Sequence, residues 1–141
     1  MASTYSTSLK LELQATGENA GTWGDKTNTN LQLVEQAVGG YEEVSIAGGA
    51  GTTALTMSDG AASNARNMVV KLTGTITGNR IVTVPDSIEK FYIVSNGTSG
   101  SFTVQFKTAS GTGYTFVAAD KSVRVLFADP PIPLSSPPLP P

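Results

Sequence analysis

Any chemistry in this sequence must be done without histidine and cysteine, because neither occurs. Their absence removes the commonest general base and metal ligand, every thiolate nucleophile, and disulfide or Cys-type zinc sites. Carboxylate pairs, Ser–Lys pairs, Lys and Tyr remain. Glu42-Glu43 is the only adjacent acidic pair. On a strand its side chains point to opposite faces, so they cannot share a proton. Asp59, Asp86, Asp120 and Asp129 each adjoin a turn, where aspartate caps its own backbone, and no D-x-D-x-D-G loop is present to hold calcium. Gly17–Thr27 has the glycines of a phosphate loop, but Asp25 separates Gly24 from Lys26. A carboxylate at a helix N-terminus repels phosphate, so nucleotide binding is not expected. Asn96-Gly97-Thr98 has glycosylation spacing, yet Met-Ala-Ser-Thr-Tyr-Ser is no secretory leader, so the triplet reads as a hairpin turn. Tyr92 and Tyr114 are candidates for stacking on sugar rings if they lie on an outer face, with core packing as the alternative for each. No enzyme activity, cofactor or metal is expected.

The elements that must position these residues follow from composition. The chain has 141 residues, one domain with room for an appendage. Only 14% are charged, while Thr, Ser and Gly number 18, 14 and 15. Thr suits strands, and Gly and Ser suit turns, so the expectation is a β-rich domain solvated by hydroxyls. The nine Lys and Arg are scattered rather than gathered in a basic stripe, so no nucleic acid is expected. No apolar run approaches the ~18 residues of a membrane helix, so neither is membrane insertion. Residues 1–60 carry a balance of −5, from seven acidic and two basic residues. Residues 61–141 carry +3, from four acidic and seven basic. This polarity suits copies meeting head to tail, or simply two faces of one monomer.

Residues 1–40 form the first unit. Leu9, Leu11 and Leu13 alternate with Lys10 and Glu12 in a short half-buried strand within 8–14. A turn-rich segment follows. Asp25 is the expected N-cap of a helix over about 26–38, with Leu31, Val34 and Val38 at i, i+3 and i+7 and Ala37 widening the stripe. Gly39 and Gly40 end it as a left-handed cap. Residues 41–128 read as eight short strands, with a helical turn near 60–65: 41–47, 53–57, 67–76, 80–84, 90–95, 101–108, 114–118 and 122–128. Gly78-Asn79, Asn96-Gly97, Gly111-Thr112-Gly113 and Ala119-Asp120 supply turns. Spacing near ten residues predicts a mainly β fold, an antiparallel β-sandwich of short strands or an open barrel, preceded by an extended segment and one helix. Residues 129–141 hold seven of the eight prolines and form a polyproline II or disordered tail. It is either a spacer or a strap that docks on a neighbour or its own sheet edge through Ile132, Leu134 and Leu139.

Within the first unit the string from Leu11 to Asn30, containing Thr16-Gly17-Glu18-Asn19-Ala20-Gly21-Thr22-Trp23-Gly24-Asp25, resembles a module of tailed-bacteriophage tail fibres and related virion proteins. There a T-G-E-x-x-G-T-W-G-D-x-x-N signature precedes a helix and a strand-rich domain. Ala65–Gly74, Val82–Pro85 and Lys107–Gly113 are also similar, so the resemblance covers 9–129. It implies a virion structural protein, assembled in the host cytoplasm: a short tail-fibre or fibre-base subunit that acts in attachment. The implied partners are itself, as a homotrimer, and other tail or capsid proteins. Leu11, Leu13, Trp23, Asp25, Leu31, Val34 and Val38 would anchor or trimerise it, with Trp23 buried in its turn against the helix or a neighbour. After Phe127-Ala128-Asp129 such proteins continue with an Asp-Gly-Thr-Asn-like turn and a shaft or tip. Here proline follows, so a long receptor-binding tip is not expected. The alternatives are a carbohydrate-binding module using Tyr92 and Tyr114, a capsid-decorating protein and, least, a glycan hydrolase.

Overall fold

In the computed structural model, residues 2–86 and 88–128 are described. Ile132, Leu134 and Leu139 lie outside the described residues. The N-terminal unit holds two short strands, β1 (Thr4–Tyr5) and β2 (Glu12–Leu13), paired antiparallel, and one helix, α1 (Trp23–Gly39). The body holds β3 (Tyr41–Ser45), β4 (Gly51–Ala54), β5 (Val69–Thr73), β6 (Arg80–Val84), β7 (Lys90–Asn96), β8 (Val104–Thr108), β9 (Tyr114–Phe116) and β10 (Val123–Ala128). A 3-10 turn at Asn64–Arg66 stands where the short helix was expected.

The fold is mainly β, but the antiparallel expectation is corrected. One sheet has the order β10-β7-β5-β3 and the other β4-β6-β8-β9. The β3–β5, β5–β7, β4–β6 and β6–β8 pairs are all parallel. Only β10–β7 and β8–β9 run antiparallel in the body. Each of β3–β4, β5–β6 and β7–β8 leaves one sheet, turns a corner and enters the other, so three such arches stack in register. Tyr41 aligns with Val69 and Val69 with Ile93 in one sheet, as Gly51 does with Arg80 and Arg80 with Val104 in the other. The ladder continues round the corners through parallel bridges Gly48–Ile76 and Thr75–Ser99. Strand alternation has period 2 in either direction, so the pattern that places the strands cannot orient them.

Asn96-Gly97 is therefore an arch corner and not a hairpin. Gly97 N–H donates to Leu72 O at 2.8 Å, extending the ladder, while buried Asn96 Nδ2 donates to Asp120 O at 2.7 Å. At the second arch, Gly78 lies so close to the arch before it that a Cβ would overlap Ala50 N. The Gly111-Thr112-Gly113 segment does join a hairpin, β8 to β9.

The core lies between the sheets. Val70, Leu72, Tyr92 and Val94 come from one, and Val82, Val84, Val104, Phe106 and Phe116 from the other. Tyr92 meets Phe106 edge-on, with ring centroids 5.4 Å apart. Helix α1 departs from expectation at both ends. It starts at Trp23, with Asp25 inside the first turn and Thr22 at the cap position. Asp25 still suits the positive end of the helix dipole. Gly40 is extended, not left-handed; it is needed because a Cβ would overlap Gln36 O and Asn67 Oδ1.

Candidate functional site

Residues within the Leu11–Asn30 string build a polar junction around Glu12. Its carboxylate accepts from Asn19 Nδ2 at 2.8 Å and meets Lys26 Nζ at 3.3 Å. Its backbone N–H donates to Asn30 Oδ1 at 3.0 Å, and Asn30 Nδ2 returns a bond to Glu12 O at 2.9 Å. Asn19 reaches this position from a left-handed backbone, φ 57°, which asparagine tolerates better than most residues. The Asn19 amide, before all else, holds the Glu12 carboxyl below its ordinary pKa, with Ser3 and Lys26 adding to it. Thus β2, the glycine-rich turn and the middle of α1 are tied at one residue, through the Glu12 carboxylate and backbone together, which sets how the helix presents its faces.

A second junction ties this unit to the body. Arg66 is fully buried. Its guanidinium donates to Leu9 O at 3.0 Å, Ser58 O at 2.6 Å, Ser63 Oγ at 3.1 Å and also Ala61 O. Gly60 N–H donates to Lys10 O at 2.7 Å, and Glu89 N–H to Ser8 Oγ at 3.2 Å. Neither junction is visible in the apolar pattern. The clue available in sequence was charge: Glu12 and Arg66 stand among apolar or small neighbours.

Helix α1 therefore docks through Leu33 and Ala37, its only buried residues. The predicted stripe faces elsewhere. Leu31 and Val38 are 63% and 69% exposed, and Val34 is exposed as well. At 100° per residue, the stripe sits roughly a third of a turn round the helix from the docked face. Its 3–4 spacing is that of the a and d positions of a helix seam. Trp23, at the first turn, is 65% exposed, so it is not buried within its own chain. Leu13 is exposed, Leu11 half-buried and Asp25 exposed. The structure thus gathers Leu31, Val34 and Val38 on one open helical face, and leaves Leu11 apart from it.

The two tyrosines do not form a sugar platform. Tyr92 is fully buried, donates its hydroxyl to Ala65 O, and has Lys90 Nζ 3.6 Å from its ring centroid. Burial pushes the Tyr92 hydroxyl pKa well up. Tyr114 sits on the other sheet, packed against the core and edge-on to Phe116. Its hydroxyl donates to Asp120 Oδ2 at 3.2 Å, and Arg124 lies 5.4 Å from its ring. The turn aspartates cap backbone: Asp86 accepts from Ser110 N–H at 3.0 Å and Asp120 from Ser122 N–H at 3.1 Å. Among the described residues no three acidic side chains gather to hold a metal, and no helix is long and apolar enough to cross a membrane. What the described surface offers is exposed apolar side chains, on α1 at Trp23, Leu31, Val34 and Val38 and on the strands at Tyr41, Phe91, Val123 and Val125 among others. No family model, curated protein or solved structure matches the chain.

Proposed function

We propose that this protein is a non-enzymatic virion structural subunit of a tailed phage, a short tail-fibre or fibre-base protein that works as a homotrimer. Residues 1–40 form the oligomerising and anchoring unit; the β body projects and contributes to attachment. The observation that carries this reading is the exposed Leu31–Val34–Val38 seam on a helix already docked through another face, that of Leu33 and Ala37. A soluble helix normally turns its apolar stripe inward. Here the polar junctions at Glu12 and Arg66 hold it outward, a costly arrangement for a monomer and a useful one for an assembly. The resemblance of Leu11–Asn30 to the tail-fibre signature supplies the virion context.

Light scattering across a concentration series tests the proposal. The expected result is a stable trimer that Val34→Asp converts to monomer with its circular dichroism unchanged. A monomeric wild-type protein, or one retained on host polysaccharide as a monomer, would refute it in favour of a binding module.

A further inference from the structure

The outer faces of the two sheets differ in a way the shared arch geometry does not require. On the β4-β6-β8-β9 sheet, one outward row reads Thr52, Ile81, Gln105 and Thr115 across the strands, and the next includes Lys107. That is a solvated surface. On the other sheet the corresponding row reads Tyr41, Val69, Ile93 and Val125. Beside it Phe91 and Phe127 face each other across β7 and β10, with centroids 4.9 Å apart. Val125 is 67% exposed, and Tyr41 and Phe91 are more than half exposed.

We infer that this outer sheet face, centred on Tyr41, Phe91, Ile93, Val125 and Phe127, lies against a second copy of the chain. The inference rests on the homotrimer reading and adds a second contact surface to it. Three observations select a second copy as the occupant. The face begins at Tyr41, three residues past Val38, so the helix seam and the sheet face adjoin along the chain. Two charges beside it are paired within the chain: Lys71 Nζ lies 3.4 Å from Glu43, which also accepts from the Tyr41 hydroxyl at 2.7 Å, so this pair does not oppose the approach of a second copy. The third is area. Aromatic side chains bury roughly 200 Å² each, so two half-exposed rings and the valines amount to several hundred Å². A stable interface needs about 800 Å² per partner, more than the single helix seam supplies and within reach of seam and sheet face together.

The chain has no cysteine, so a single introduced thiol is a clean probe. Full-length Val125→Cys and Thr115→Cys, each spin-labelled, are compared by pulsed electron paramagnetic resonance alongside light scattering. Copies that bring this face towards a shared axis, with neighbouring sheets about 10 Å apart, hold their labels within roughly 25 Å of one another. The expected result is an oligomer with such short separations for the Val125 label and none for the Thr115 label. Unlabelled Val125→Lys is expected to weaken association at least tenfold while remaining folded. An oligomer whose Val125 labels show no short separation, or whose affinity is unchanged in Val125→Lys, overturns the sheet contact and leaves the helix seam standing. A monomer at all concentrations overturns both.

Discussion

Replacing Arg66 by Met removes the guanidinium while keeping most of the side-chain stem, and it should be among the most destabilising single changes in the chain. Arg66 is wholly buried and serves three carbonyls, Leu9 O, Ser58 O and Ala61 O, together with the Ser63 hydroxyl. An acceptor stranded in a dry site costs ~1–3 kcal/mol, so three carbonyls set an upper range of roughly 3–9 kcal/mol. Water entering the vacated space recovers part of this, and the arginine itself was desolvated at a cost. The expected net loss is about 3–5 kcal/mol, in line with removal of one member of a buried charged network. The assay is urea unfolding at fixed protein concentration, since an oligomer's stability depends on it. Amide exchange should show where the loss falls: Gly60 and Glu89, whose N–H groups bond Lys10 and Ser8, should lose protection together. Arg66→Lys, which keeps the charge but not the fork, should fall between. A loss under about 1 kcal/mol for Arg66→Met would refute the reasoning, because the acceptors would then be satisfied without the guanidinium.

The Glu12 carboxyl is held below its ordinary value, chiefly by Asn19, so its contribution is present above the unfolded pKa and is lost as pH falls through the folded one. Acid unfolding of Glu12→Gln should therefore be less pH-dependent than wild type below about pH 4.5. Burial lowers Lys90 to about 8, so the folded state binds fewer protons than the unfolded between that value and the unfolded 10.5. Stability should rise across this window by at most ~3 kcal/mol, because the Asn67 and Phe91 carbonyls and the Tyr92 ring favour the charged form, and Lys90→Met should abolish the rise in alkaline denaturation curves. Gly78→Ala forces a methyl into the backbone of the preceding arch and should cost roughly 1–3 kcal/mol by thermal unfolding.

Strand positions were legible because alternation and turn residues are local; strand direction was not, because it is decided by partners far along the chain. All eight expected body strands exist, Arg80–Val84 with the ends expected and the others with shifted ends, but Asn96-Gly97 carries the same signal for a hairpin as for an arch corner. A better signal was the recurrence of glycine at each corner, Gly48-Gly49, Gly74 with Gly78, and Gly97 with Gly100. On α1 Leu31, Val34 and Val38 were legible as a stripe, yet the docked face is made by Leu33 and Ala37, because periodicity picks out apolar rows without saying which of two neighbouring rows meets the body. In β7, Lys90-Phe91-Tyr92-Ile93-Val94 is apolar on both faces, so alternation alone could not tell that Tyr92 points in and Phe91 out. Trp23 was expected to be buried in its turn, against the helix or a neighbouring chain, because Gly21 and Gly24 let the backbone fold tightly there; at the first turn of α1 it is 65% exposed within its own chain.

The stacked arches also set how the chain reaches its fold. In-register partners Tyr41 and Val69 are 28 residues apart, and Val69 and Ile93 are 24 apart. No sheet pair in the first three tiers can form by a tight local turn; each requires closing a loop of that length before its ladder begins to stabilise it. Such separations, about a fifth of the chain, belong to the topologies that fold in milliseconds to seconds rather than microseconds. The middle arch, β5 and β6, pairs with another arch on both sides and the other two arches with one only, so the middle arch is the natural template on which the others zip. The local hairpin of β8 and β9 and the antiparallel return of β10 then close one end of the stack, while β3 and β4 leave the other as the last tier to be held.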